Sequence, residues 1–106
     1  MKLLYSLLLM SFLTSNLSAQ NEKELKLANK KFDDFAYVDA IKTYERVAEK
    51  GYKSVDLFEK LGDSYYFNSK FKEANKWYGE LFSMNEKVGT EYYYRYSQTL
   101  KSVQDY

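Results

Sequence analysis

The chain predicts an all-α fold, a stack of antiparallel helical hairpins, on three observations. The first is spacing. In FEKLGDSYYFNSKFKEANKWYGEL, residues 58–81, apolar and small residues fall at Phe58, Leu61, Gly62, Tyr65, Phe71, Ala74, Tyr78 and Leu81. Within each half the steps are three or four residues, the spacing of one face of an α-helix. Asn68-Ser69-Lys70 interrupts the pattern as a tight turn, so this is a helical hairpin with a small residue on each arm. The second is recurrence. Shifted back by 34 residues, Leu27, Ala28, Phe32, Tyr37, Ala40, Tyr44 and Val47 match Leu61, Gly62, Tyr66, Phe71, Ala74, Tyr78 and Leu81. A helix pair repeating at this period marks a stacked-repeat architecture. The third is composition. With no proline and four glycines in 106 residues, long helices are favoured over a turn-rich sandwich or barrel.

A chain of this length is one small domain. Its 12 Tyr, 7 Phe and 1 Trp supply apolar surface for burial. The 16 basic and 15 acidic residues are spread along the chain, for a net charge of +1. No basic stripe or tail stands out, so a nucleic-acid partner is not expected. His and Cys are both absent, which removes the usual zinc sites, thiol chemistry and His-based triads. No metal, cofactor or catalytic residue is therefore predicted. The lack of cysteine suits oxidising and reducing compartments alike.

Residues 1–19 read as a Sec-type signal peptide. Lys2 is followed by the mostly apolar run LLYSLLLMSFL, residues 3–13. TSNLSA then places Leu17 at −3 and Ala19 at −1 before Gln20. The run falls short of the roughly 20 apolar residues that span a bilayer, so cleavage after Ala19 is expected, with no membrane span afterwards. Export to a periplasm follows.

Residues 20–106 hold the repeats: 21–54, 55–89, and 90–106 as the first helix of a truncated third. A first helix over 22–34 is predicted to bury Leu25, Leu27, Ala28 and Phe32. Phe35-Ala36 makes the turn into a second helix over 37–50, with Tyr37, Ala40, Ile41, Tyr44, Val47 and Ala48 inward. Gly51 suits a left-handed helix terminus, where it has no Cβ to strain. Ser54 is a plausible N-cap, with Asp56 in the favourable first turn. The third helix runs to about Asn68 and the fourth from Phe71 to about Met84. The loop 85–89 follows, with Thr90 as the next cap. Tyr93, Tyr96, Ser97, Leu100 and Tyr106 then match Phe58, Leu61, Gly62, Tyr65 and Phe71 at an offset of 35. One loop residue has been added, a change that loops accept. The last helix carries tyrosines on more than one face, a poor polar cap for a stack, so continuation of the natural chain is expected.

At Leu61-Gly62, Tyr65, Phe71, Ala74 and Tyr78 the sequence resembles the tetratricopeptide repeat (TPR) consensus, with Phe58 where tryptophan is commonest. The first repeat keeps Leu27, Ala28, Tyr37, Ala40 and Tyr44, but has Glu24 and Lys31 at usually apolar or aromatic places. The resemblance implies a right-handed solenoid of about two and a half repeats, with Glu24 loosening the first helix. The run KTYERVAEKGYKSVDLFEKLGDSYYFN, with KWYGELF and EYYYRYSQTLK after it, is similar to the start of OmpA-family envelope proteins of Bacteroidetes-type bacteria. In that family repeats of this kind precede a β-propeller, a β-sandwich and a peptidoglycan-binding domain. Some members serve type IX secretion. The resemblance implies a module near the outer membrane, with peptidoglycan reached only through domains outside this chain.

In TPR folds the first helix of each pair lines the concave surface. That register implies a partner-binding face of Phe32, Asp33, Glu59, Asp63, Tyr66, Tyr94, Gln98 and Lys101. Tyr65 and Tyr96 read as core, whereas Tyr66 and Tyr94 could equally line a groove. Asp56, Glu59 and Asp63 would repel a peptide's terminal carboxylate, so a basic or mixed-charge peptide fits better. Adjacent Asp33 and Asp34 diverge on a helix and do not converge on one substrate atom. The expectation is a non-catalytic scaffold that binds a protein or peptide in the cell envelope. The alternatives are a structural spacer in a larger protein, or a stand-alone adaptor that dimerises through its last helix.

Overall fold

The computed structural model describes residues 2–104, and side chains from Leu17 onwards. Five helices lie within them: α1 Lys2–Asp33, α2 Tyr37–Glu49, α3 Val55–Phe67, α4 Phe71–Ser83 and α5 Thr90–Val103. The described residues are all-helical, with no strand. The middle three helices end within one residue of the ends expected from spacing. The first does not: α1 starts at Lys2 instead of near Glu22. No glycine or proline separates the two positions, so a helix once nucleated meets nothing to stop it. Among the described residues no helix is long and apolar enough to cross a membrane. Tyr106, the expected mate of Phe71, lies outside the described residues.

Helix termini repeat with the sequence. The residues that close α1 to α4 are Phe35, Gly51, Ser69 and Asn85, with φ of 62°, 93°, 59° and 55°. Phe35 pairs with Ser69, and Gly51 with Asn85, at the same 34-residue offset. After α1 the Ala36 N–H donates to the Lys31 carbonyl at 2.8 Å; after α3 the Lys70 N–H does the same to Tyr65 at 2.8 Å. These bonds satisfy carbonyls that a helix end leaves unpaired. Ser54 caps α3 as expected, its hydroxyl accepting the Leu57 N–H at 3.0 Å. Thr90 does not cap α5; the helix begins on it and Gly89 holds the cap position. The Glu91 carboxylate folds back there, and a Cβ on Gly89 would lie 2.6 Å from its Oε2.

Consecutive helices pack on one another along the chain. In addition α1 touches α3 and α3 touches α5, whereas α2 and α4 do not meet. The odd-numbered helices thus form one continuous layer, with the even ones splayed outside it. Between the layers lies the core. Ala28, Ala40, Tyr44 and Val47 are buried in the first hairpin, and Gly62, Ala74, Tyr78 and Leu81 occupy the same positions in the second. Phe58 stacks on Trp77 with centroids 5.9 Å apart. The matching place in the first hairpin is Glu24, which ion-pairs instead with Arg46 at 3.4 Å and Lys50 at 3.3 Å.

One core expectation is overturned. Leu27 is 58% exposed, whereas its mate Leu61 is fully buried. Both lie on the same face of their helices, but only α3 has a helix, α2, packed across from the preceding hairpin. Leu25 and Phe32 are half-buried. On α5, Tyr96 stacks on Phe82 at 5.0 Å, while Tyr93 and Leu100 stay exposed, since no described helix lies beyond them.

Candidate functional site

The residues predicted for a partner-binding face lie on α1, α3 and α5, the helices of the continuous layer. Glu59, Asp63 and Tyr66 form one stripe of α3, and Tyr94, Gln98 and Lys101 repeat it on α5 at an offset of 35. The structure divides these residues by what each is free to do.

Asp63 is buried and fully engaged. Oδ1 accepts the Tyr78 hydroxyl at 2.6 Å and an Arg95 guanidinium N–H at 2.9 Å, and Oδ2 accepts the Tyr92 hydroxyl at 3.2 Å. Burial raises its carboxyl above the ordinary value, against the opposing pull of Tyr78, Arg95 and Tyr92. The Tyr78 phenol is pushed up by burial and by the Asp63 charge, so it remains a donor. Arg95 also lies over the rings of Phe67 at 5.0 Å and Tyr92 at 5.3 Å. A carboxylate saturated in this way joins α3, α4 and α5; its role is to hold the layer.

Glu59 is half-buried one turn earlier. Burial raises its carboxyl, and the nearby charges of Asp56, Asp63 and Glu91 push the same way, with Lys60 opposing. Negative charge is therefore crowded on this side of α3. Tyr66 is half-buried, its ring against Phe67, Phe71 and Tyr78 at 5.9, 5.4 and 6.3 Å. It belongs to the hairpin's packing and forms the floor of the layer. Tyr94 is 63% exposed; Lys101 is exposed and Gln98 half-buried beside it on the same helical face. At the other end Phe32 packs edge-on against Tyr37 at 5.5 Å, and Asp33 stands exposed at the end of α1. Phe32 and Asp33 thus lie on α1, in the same layer but one helix away from the acidic cluster of α3.

Tyr92 and Arg95 belong to this site, although the repeat register leaves both out of the predicted face. A signal existed: an aspartate inside an apolar stripe needs a cation or donors. Arg95 sits one turn before Gln98, the position in register with Asp63. On α2, Glu45 accepts the Tyr65 hydroxyl and fixes α3 against it.

Concavities lie away from this face, along α1 and between α1 and α2. Grooves flank Leu27 on either side, lined by Lys23, Lys26 and Lys30 on one and by Lys31 and Lys42 on the other. Among the described residues no group of three or more Asp or Glu is placed to hold a metal ion.

Comparison of the chain with family models, curated proteins and solved structures finds no match. The fold and the chemistry of its surfaces carry the functional reading.

Proposed function

We propose that this chain is an exported, non-catalytic interaction module whose inner helical layer binds a protein or peptide in the cell envelope. The architecture we assign is a TPR-like right-handed solenoid of about two and a half repeats. The observation that carries it is the recurrence of specific contacts. Tyr44 donates to Asn29 at 2.6 Å and Tyr78 to Asp63 at 2.6 Å, at positions related by the sequence repeat. Two hairpins that share a period, terminal geometry and a tyrosine hydrogen bond in the same place are copies of one unit, and stacked copies present an extended surface. The continuous layer of α1, α3 and α5 is the natural inner face, because those helices approach one another while α2 and α4 splay.

Within that face Tyr94 and Lys101 are exposed with Gln98 half-buried between them, bordered by Glu59, Glu91 and Asp56, the last paired with Lys60 at 3.2 Å. An aromatic side chain offers binding area at low entropic cost, and the carboxylates favour a basic or mixed-charge segment. The similarity to OmpA-family proteins and the apolar leader support a periplasmic location near the outer membrane. They also support a role as the repeat region of a larger envelope protein, with peptidoglycan bound by other domains. Affinity capture from envelope extracts tests the reading. Tyr94→Ala should lose the partners that the unaltered chain retains; equal retention by both would count against the inner face.

A second reading has its own observation. Tyr93, Tyr94, Leu100 and Val103 leave α5 with an exposed apolar surface, which suits self-association. Concentration-dependent sedimentation would support that reading, and a steady monomer would exclude it.

A further inference from the structure

We infer that the Leu27 stripe of α1 is a second docking surface, and that it takes an acidic amphipathic helix of a protein partner. The inference rests on the hairpin register and not on the inner layer, so either surface can fail without the other. On α3 the stripe Leu57, Leu61, Tyr65 steps by four residues along one face. Helix α2 packs against α3, and its Glu45 accepts the Tyr65 hydroxyl. On α1 the same register reads Lys23, Leu27, Lys31, and all three side chains are exposed. A helix laid on α1 as α2 lies on α3 would cover Leu27 and bring the Glu45 position against Lys31.

Charge selects the occupant. In place of the Tyr65 hydroxyl, Lys31 offers a full positive charge to an incoming carboxylate. Lys23, Lys26, Lys30 and Lys42 line the same grooves, and none of these five lysines has an ion pair among the described residues. Asp33 and Asp39 border the grooves, which leaves the lysines in excess. Shape selects a helix over a lipid surface. The grooves on each side of one leucine accept the ridges of a packed helix, whereas a flat bilayer would leave them empty.

The test uses the full chain and three probes. Two are labelled helical peptides of about 15 residues, carrying Glu or Lys four residues either side of a central Leu. The third is vesicles of phosphatidylglycerol. Fluorescence anisotropy should show the Glu peptide binding at least about tenfold more tightly than the Lys peptide, with the preference weakening as salt rises. Leu27→Glu and Lys31→Glu should each weaken it by about tenfold or more, while Tyr94→Ala leaves it unchanged. Both altered side chains are exposed, so thermal melting should not move. The proposal is overturned by absent or charge-indifferent peptide binding, or by unchanged binding in both α1 variants. It is also overturned if vesicles retain the chain and Leu27→Glu releases it, which sets the apolar leader aside, or if the chain alone associates through Leu27; these outcomes would assign the surface to lipid or to a second copy.

Discussion

Tyr78 donates its hydroxyl to the buried Asp63 at 2.6 Å, in the position where Tyr44 of the first hairpin donates to Asn29. One geometry thus serves a neutral acceptor and a charged one. The charged version needs compensation, and Arg95 of the following helix supplies it at 2.9 Å.

Removal of that cation should be costly, because a buried carboxylate left unpaired loses more than the pair contributes. Arg95→Met is expected to destabilise the fold by about 3 kcal/mol. Adding Asp63→Asn should restore most of the loss, since Asn29 shows that an amide serves the same hydrogen bond. Urea denaturation of the single and double variants decides it. A double variant as weak as Arg95→Met would refute the compensation argument.

Gly62 lies under the Tyr78 ring. A Cβ there would come 2.4 Å from Cε1, and the ring is pinned at its hydroxyl by Asp63. Gly62→Ala should therefore destabilise by about 1–2 kcal/mol net, despite the roughly 1 kcal/mol that alanine gains in helix propensity. A rise in melting temperature would show that the ring yields easily.

Acidification should act through Glu59. Its folded carboxyl is raised by burial and by Asp56, Asp63 and Glu91, so the folded state binds the proton more tightly than the unfolded chain. The strain of the ionised form is present above the raised folded value and fades as pH falls through it towards the unfolded 4.5. Glu59→Gln should accordingly be more stable than the unaltered chain at neutral pH, with the advantage shrinking on acidification across that window. Thermal melting against pH provides the check, and a gap that widens at low pH would contradict the sign.

Tyr66 and Tyr94 share a predicted role but should separate on truncation. Tyr66→Ala removes a ring packed on Phe71 and Tyr78 and should cost about 2 kcal/mol. Tyr94→Ala removes an exposed ring and should stay within about 0.5 kcal/mol. Equal stability losses, read by denaturation, would mean that the exposed ring is structurally engaged.

The hairpins, their register and the Ser54 cap were legible because helical spacing and capping are local chemistry. Phe35 and Ser69 gave no warning of left-handed backbone, since neither is the glycine that such a terminus favours. The exposure of Leu27 was not legible either. A periodic pattern marks which face is apolar, and only packing shows whether a neighbour covers it. Asp63 was expected on an open binding face, but it is buried under bonds from Tyr78 of α4 and from Tyr92 and Arg95 of α5, a tertiary fact. Glu24 illustrates the same limit: spacing showed a charge at an aromatic position, and only packing shows that Arg46 and Lys50 of the next hairpin arm pair with it.

The most direct measurement of the inner-face proposal is site-specific photocrosslinking in cells that make the protein. A photoreactive residue would replace Gln98 on the inner layer and, separately, the exposed Lys72 on α4. A discrete protein adduct is expected from position 98 and none from position 72. No adduct at 98, or the same adduct from both positions, would contradict the proposal.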